Sequence, residues 1–226
     1  MQELFASYDI FGAFFMTIRL AVISAIGSLV LGSIIAVFRL SPFSLLRVVG
    51  AAYINIFRNT PLTLLCVFTM LGLSSNLQIP IADPASPTFI LERGFRWGVV
   101  ALTAYHAAYV CEALRTGFNS IPLGQAEAAR AIGLTFSQNL TSVILPQAFR
   151  GAIVPLGSAL IALTKNTTVV ATIGVAEIAY LMGNMIEIRP DLILSIFLIV
   201  AAGFVILTLP LGLLTTHFGT KLAVKR

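Results

Sequence analysis

The chain has 226 residues, of which 58% are hydrophobic and only 10% are charged. Soluble domains carry about 25% charged residues, so this composition excludes an ordinary soluble protein and indicates an all-α integral membrane protein. The net charge is +5, but the basic residues stand singly, which argues against nucleic-acid binding. Because one transmembrane helix needs about 20 apolar residues, residues 1–226 fit a single transmembrane domain with about five spans.

The first half of the chain predicts two spans separated by an amphipathic stretch. Span 1 is expected at about 12–38. Residues 43–57 have amphipathic spacing and are expected at the membrane interface, although 53–57 could instead extend the second span. The tripeptide Asn59-Thr60-Pro61 predicts a helix start, with a polar cap before a proline near the first helical position. Span 2 is therefore expected at about 60–75.

The second half predicts three further spans. Residues 76–96 combine prolines with charged residues and predict a loop. Trp97 is expected to open span 3 as an interfacial aromatic, and this span continues to about residue 114. Span 4 is expected at 151–176, with a break near Lys165-Asn166-Thr167-Thr168, because a polar break is tolerated where it lines a cavity or is buried in protein. Span 5 is expected at 192–216.

The distribution of basic residues predicts the orientation in the membrane. One side carries Arg39, Arg47, Arg58, Arg115, Arg130, Arg150, Lys221, Lys225 and Arg226. The other side carries Arg93, Arg96 and Arg189. By the positive-inside rule the first side is cytoplasmic. This places the N-terminus outside, and it places the C-terminus and the loop 116–150 in the cytoplasm.

This loop, residues 116–150, is a long polar interruption that still has a helical pattern. Residues 127–131 favour a helix by propensity, and Gly133 is expected to end it in the left-handed conformation. Thr135 can cap a second short helix that runs to Leu145, where the following proline is expected to mark a boundary. The sequence therefore predicts a helix, a glycine turn and a second helix between two spans.

Two groups of polar residues lie inside the predicted spans, and each has two interpretations. Glu112 and Arg115 are three residues apart and can form an ion pair at the end of span 3. Alternatively, Glu112 lies on a translocation path, because a charge within a membrane usually faces a bundle interior or a cavity. The run 165–168 is either a structural kink or part of such a path. Glu177 is expected near the outer mouth or inside a gate.

The sequence contains no recognisable catalytic, nucleotide-binding or metal-binding motif. A P-loop for ATP phosphates is absent. His106 and His217 are far apart in sequence, and His106 is interpreted as a packed or pore-lining residue rather than a metal ligand. Cys66 and Cys111 lie in apolar segments and are interpreted as buried free thiols. We therefore expect a chain without enzymatic activity that itself binds no metal and no cofactor.

The cytoplasmic loop resembles the EAA loop of ABC importer permeases. That pattern is Glu-Ala-Ala, a glycine six positions after the glutamate, an aliphatic residue ten further on, and then Leu-Pro. Here these positions are Glu127, Ala128, Ala129, Gly133, Val143, Leu145 and Pro146. The resemblance implies a coupling helix that docks on a cytoplasmic ATPase subunit. The residues expected to dock are Gln125, Glu127, Ala128, Ala129, Arg130, Gly133, Leu145 and Pro146.

The resemblance extends over nearly the whole chain to permeases of the polar amino-acid (histidine, glutamine, glutamate, arginine) family. Residues 58–62, Arg-Asn-Thr-Pro-Leu, resemble the Arg-Gly-Thr-Pro-Leu segment of that family, with Asn59 in place of the usual glycine. Together with residues 53–55, 161–168 and 222–225, this segment makes the chain look most like a permease of actinobacterial glutamate uptake systems. The candidate translocation path comprises Arg58, Asn59, Thr60, Glu112, Lys165, Asn166 and Thr167.

The resemblance implies a type I ABC importer (MetI-like) permease fold and ATP-driven uptake of a polar amino acid, L-glutamate first, across a bacterial plasma membrane. It also implies partners: a dimeric ATPase that binds ATP and Mg, an extracytoplasmic solute-binding protein, and a second permease, expected to be a paralogous chain. Two alternatives stay open. The substrate could be glutamine, arginine or histidine, or the chain could be a secondary transporter that uses Glu112 and Lys165 for ion coupling.

Overall fold

A computed structural model of the chain describes residues 7–222. Within this range the secondary structure is helical and contains no strand, which confirms the predicted all-α fold. Residues 1–6 and 223–226 lie outside the described range. They hold the predicted outer N-terminus, the terminal motif residues after 222, and Lys225 and Arg226 of the orientation argument.

The helices follow one another closely, and short π and 3-10 segments join some of them. They are α1 (Ile10–Leu40), α2 (Ser44–Asn59), α3 (Leu62–Val67), α4 (Phe89–Asn119), α5 (Leu123–Ala131), α6 (Phe136–Asn139), α7 (Leu145–Asn166), α8 (Ile178–Ile188) and α9 (Ile193–Leu222). The π segments are Phe68–Asn76 and Leu140–Ile144, and the 3-10 segments are Thr167–Ile173 and Pro190–Leu192. Helix α4 is central, because it packs along α1 and α7 and also contacts α2 and α3.

Several helical stretches are long and apolar enough to cross a membrane. Three qualify on their own: Ile10–Leu40, Phe136–Ile173 and Pro190–Lys221. Helix α2 and the stretch Leu62–Asn76 qualify together as a fourth, although they are bent by 103°. The central α4 has 31 residues, or roughly 46 Å at 1.5 Å per residue, and its His106 is buried inside the bundle. By length and composition, three or four stretches within residues 7–222 therefore qualify, compared with the about five spans predicted.

A new helix begins at Leu62, close to the predicted start of span 2 at about residue 60, but the predicted polar cap is wrong. Helix α2 continues to Asn59, so 53–57 belong to it and do not extend the next stretch. The N-cap residue of α3 is Pro61, and no side chain caps this end. Thr60 instead donates its hydroxyl to the Ile56 carbonyl at 2.7 Å. The extended backbone of Thr60 makes the bend, because a residue before proline is disfavoured in the helical conformation.

Span 3 begins earlier than predicted. Helix α4 starts at Phe89, so residues 89–96 are helical rather than loop. Glu92 and Arg96 pair across one turn at 2.9 Å and stabilise this extension. Trp97 is only 4% exposed, so it lies inside the bundle and not at an interface as predicted.

Pro146 lies at the start of α7, but the helical path does not stop there as predicted. The chain stays helical from Phe136 through the π segment into α7, and Pro146 lies in the first turn of α7. The amide of Leu145 donates to the Leu140 carbonyl five residues back, which is the wider π pattern. A proline in a first turn lacks only an amide that would have no partner inside its own helix. The first residues of the predicted loop 116–150 therefore belong to α4, and its last residues belong to α7.

The predicted break in span 4 is confirmed. Helix α7 ends at Asn166, continues as the 3-10 segment Thr167–Ile173, and stops at Gly174 with a φ of +80°. Beyond it, Glu177 is fully buried and caps α8, because its carboxylate accepts the amides of Ala179 and Tyr180 at 2.8 and 3.0 Å. This carboxylate therefore lies inside the bundle and is not exposed at an outer mouth.

Candidate functional site

The connection between α4 and α7 contains a short helix that ends in a glycine turn. Helix α5 closes at Gly133, whose φ is +86°. The Gly133 amide donates to the Arg130 carbonyl at 3.0 Å, and the Leu134 amide donates to the Ala129 carbonyl at 3.1 Å. These two bonds form a Schellman motif, in which a left-handed backbone favours glycine. The predicted glycine turn is therefore present.

Hydrogen bonds join this short helix to the helices that follow. Thr135 caps α6 in a capping box: its hydroxyl accepts the Gln138 amide, and its own amide donates to the Gln138 side chain at 3.0 Å. The Asn139 side chain donates to the Ala126 carbonyl of α5 at 3.1 Å. The Gln147 side chain of α7 donates to the side-chain oxygen of Gln125. Helix α5 is therefore hydrogen-bonded to both α6 and α7.

The predicted docking residues do not all face outward. Glu127, Ala128 and Arg130 are exposed, whereas Ala129 is 5% exposed and packs inward. Gln125 is engaged by Gln147, as described above. Leu145 and Pro146 lie in the first turn of α7, beyond the turn at Gly133. The outward-facing part is therefore formed mainly by α5.

Sequence reasoning missed two exposed apolar side chains beside this helix. Ile132 and Phe136 flank Gly133 and are each 80% exposed. Exposed apolar side chains that cluster often mark a protein interface. The signal in the sequence was their large apolar type at positions next to a predicted turn. We call the exposed side chains of Glu127, Ala128, Arg130, Ile132 and Phe136 the α5 surface.

A second group of polar side chains joins α2 to α4. Oε2 of Glu112 lies 2.6 Å from Nη2 of Arg115, so the predicted ion pair is present. The same oxygen lies 3.9 Å from Nη1 of Arg58 on α2. The guanidinium of Arg58 also lies over the ring of Tyr109, 5.6 Å from its centroid. One carboxylate is thus shared by two arginines from different helices.

These side chains border a pocket of about 270 Å³. It is lined by Ile54, Asn55, Arg58, Asn59 and Tyr109. Two of the predicted path residues, Arg58 and Asn59, therefore line one pocket, and Glu112 adjoins it through Arg58. The pocket therefore presents the guanidinium of Arg58, a group that pairs with carboxylates.

The other predicted path residues lie elsewhere. Asn166 approaches Nε2 of His106 at 3.2 Å, and Lys165 is exposed at the end of α7. Thr167 is buried and donates its hydroxyl to the Thr164 carbonyl at 2.8 Å, just as Thr60 bonds to its own preceding helix. None of the residues 165–167 lines the pocket beside Arg58. Within residues 7–222, no group of three or more His, Cys, Asp or Glu side chains could hold a metal ion.

Comparison with known proteins places the chain in a family of membrane transport components. The family described as "Binding-protein-dependent transport system inner membrane component" matches residues 28–224. The glutamate transport system permease protein GluC of Corynebacterium efficiens is 49% identical over 214 residues, which cover 95% of this chain and 94% of that protein. GluC of Corynebacterium glutamicum is 47% identical with the same coverage.

A solved structure extends this likeness to the fold. The crystal structure of an amino acid ABC transporter with histidines is 26% identical, with a TM-score of 0.81, and the match covers 94% of this chain and 93% of that one. Sequence and structure therefore agree with the predicted permease fold of type I ABC importers. The chain belongs to the family of binding-protein-dependent transport system inner membrane components, the permease subunits of ABC importers.

Proposed function

We propose that this chain is the permease subunit of an ATP-driven importer of polar amino acids, with L-glutamate as substrate. Its family supports the importer, and the two Corynebacterium relatives, named for glutamate transport, support the substrate. The observation that carries the proposal is the α5 surface. A short exposed helix with a fixed glycine turn stands between two membrane helices and is bonded to the second.

In the proposed mechanism, partner ATPase subunits bind ATP and Mg, and this chain binds no cofactor and catalyses no reaction. The α5 surface, together with Gly133, Leu145 and Pro146, docks on the ATPase dimer. When that dimer closes, the bonds from α5 to Asn139 and Gln147 pass the movement to α7. The bundle then opens outward to receive the amino acid, and hydrolysis resets it inward.

The proposed translocation path includes the pocket beside Arg58. A charged side chain at the centre of a membrane helix costs about 2.5–3.5 kcal/mol, so charges gathered within a bundle usually serve a pathway. Arg58 and Asn59 can bind a substrate carboxylate, and Glu112 can bind its ammonium group. Lys165 and Asn166 belong to a separate part of the proposed path. Thr60 and Thr167 shape the backbone of the proposed path and do not bind the substrate through their hydroxyls. Each hydroxyl donates to a carbonyl of the preceding helical turn.

The proposed assembly contains further subunits. A second, paralogous permease completes the pathway, and an extracytoplasmic solute-binding protein delivers the substrate. The chain lies in a bacterial plasma membrane with its N-terminus outside and its C-terminus in the cytoplasm. The distribution of basic residues supports this orientation, in which a cytoplasmic ATPase can reach the α5 surface.

Uptake of labelled glutamate tests the proposal in cells that lack this chain and are supplied again with wild type, Gly133→Asp or Gly124→Asp. A side chain at either glycine would meet no atom within 4 Å, but only Gly133 has a positive φ. An aspartate is also unfavourable at a helix C-terminus and favourable in a first turn. We expect wild type and Gly124→Asp to restore uptake and Gly133→Asp to abolish most of it.

Competition and energy coupling separate the alternatives. Unlabelled aspartate should block uptake more strongly than glutamine, arginine or histidine. The opposite order would mean that the importer carries another amino acid, and the assignment as an importer would stand. An uncoupler should leave most uptake intact while ATP is maintained. Complete loss under that condition would favour the ion-coupled transporter instead. Normal uptake by a well-expressed Gly133→Asp variant would count against docking at the α5 surface.

A further inference from the structure

A second pocket lies at the opposite end of α4 from the α5 surface. Its volume is about 370 Å³, within the roughly 300–1,000 Å³ range of ligand sites. Its polar lining comes from Ser74, Ser75, Gln78 and Arg93, and its apolar lining comes from Phe89 and residues of 79–84. Three segments therefore converge there: the end of the π segment, the loop after it, and the first turns of α4.

The walls of this pocket are held by hydrogen bonds. Arg96 of α4 donates to the Ile81 carbonyl, which ties the loop to the helix. The Ile79 amide donates back to the Leu73 carbonyl at 3.1 Å. The Asp83 carboxylate accepts the Ala85 amide at 2.9 Å and fixes the next turn. The pocket is thus formed before any ligand arrives.

Arg93 brings a positive charge into this pocket. Its guanidinium carbon lies 5.4 Å from the centroid of the Phe89 ring, and its Nε is buried without a hydrogen-bond partner. In the part of the chain that the structure describes, no carboxylate forms an ion pair with it. The adjacent Glu92 is engaged by Arg96 at 2.9 Å and by Thr88 at 2.6 Å.

The chemistry of the lining selects a carboxylate. A guanidinium binds carboxylates through paired N–H donors, and the Gln78 amide and the serine hydroxyls can add further bonds. None of the lining residues carries a carboxylate. A free amino acid would therefore bring its ammonium group beside Arg93 without a partner for it. An aspartate or glutamate side chain of another protein has no such group and fits better.

We infer that this pocket receives an acidic side chain of the extracytoplasmic solute-binding protein when that protein docks. The inference rests on the proposed function, because the proposed orientation puts the start of α4 on the extracytoplasmic side. Arg93 is then a partner-binding residue that lies apart from the pocket beside Arg58. The guanidinium of Arg93, which forms no ion pair within the described residues, and the preformed walls are the features that a docking acid would use.

The test uses the complete importer in nanodiscs of zwitterionic lipid, with this chain, its permease partner and the ATPase. ATP hydrolysis is measured against the concentration of the glutamate-loaded solute-binding protein. We expect Arg93→Gln to raise the half-maximal concentration by about tenfold or more, with the basal rate and the rate at saturation unchanged. Added salt should weaken the response of wild type more than that of the variant.

Arg189→Gln is the matched control. It removes the same charge from the same predicted side, but Arg189 has its own carboxylate partner, Asp191, at 2.9 Å. Its half-maximal concentration should stay within about twofold of wild type, since exposed ion pairs contribute little. An Arg93→Glu variant should in turn be rescued by an arginine at one acidic surface position of the solute-binding protein.

Three results would overturn the inference while leaving the importer intact. One is an unchanged half-maximal concentration for Arg93→Gln. Another is an effect of this substitution on the basal rate that depends on anionic lipid and not on the binding protein, which would indicate a lipid headgroup. A third is competition by free glutamate at this pocket. If wild type itself gave no response to the binding protein, the proposed function would fail together with the inference.

Discussion

Glu112 is the carboxylate that two arginines share. Arg115 donates to both of its oxygens from the same helix, and Arg58 approaches it from α2. Removing one partner of such a group leaves the other charges poorly compensated. The triad therefore stabilises the contact between α2 and α4, in addition to its proposed part in the pathway.

Glu112→Gln should lower the free energy of unfolding by about 1.5–3 kcal/mol, the range for hydrogen bonds to charged groups. Chemical unfolding in detergent micelles, followed by Trp97 fluorescence, would measure this. Asp191→Asn is the control, because it removes a carboxylate from an exposed pair with Arg189 and should cost less than about 1 kcal/mol. Equal losses in the two variants would contradict a stabilising triad.

The pairing of Arg115 was predictable, whereas that of Arg58 was not. Arg115 lies three residues after Glu112, so helical geometry alone brings the two together. Arg58 meets the same carboxylate only because α2 packs on α4. A contact of this kind depends on tertiary packing, which a local sequence pattern does not contain.

At the scale of helices, local backbone chemistry was the reliable guide. Gly133 and the cap at Thr135 were predictable because each depends on a few neighbouring residues. The predictions for Trp97 and Pro146 failed because each residue type can have more than one structural role. An aromatic at a span end can lie at an interface or inside a bundle, and a proline can end a helix or occupy its first turn.

Glu177 holds the start of α8 within the bundle. Its carboxylate accepts two amides of α8 and lies 3.4 Å from the Thr17 hydroxyl of α1. Thr17 also accepts the Ile178 amide at 3.3 Å, so α1 and α8 are tied at one buried point.

Glu177→Ala should destabilise the protein by about 1–2 kcal/mol, the usual cost of losing a helix cap. Glu177→Gln should lose much less, because its side-chain oxygen can still accept the amides of Ala179 and Tyr180. Thermal unfolding in detergent would compare the two variants. An equal loss for both would mean that the charge, and not the cap, provides the stability.

At the scale of the whole molecule, apolar and polar surfaces are exposed in different places. Only 33%, 22% and 11% of the residues in the most apolar windows of the three long spans are buried, so these helices offer apolar faces to lipid or to a second permease. By contrast, the residues that line the pocket beside Arg58 include two further exposed polar side chains, those of Asn55 and Asn59. Polar side chains avoid lipid, so this face should meet water or another subunit.

Cysteine accessibility would test this division on adjacent residues of α2. Asn55 lines the polar pocket, and Ile56 is an apolar neighbour that is 61% exposed. Asn55→Cys should react with a membrane-impermeant thiol reagent about tenfold faster than Ile56→Cys, because only a hydrated thiol ionises and reacts readily. Background labelling should be low, since Cys66 and Cys111 are buried as predicted. Added glutamate should slow labelling of Asn55→Cys in the assembled importer. Equal labelling of both variants would mean that α2 lies wholly in water, and faster labelling of Ile56→Cys would reverse the assignment of its faces.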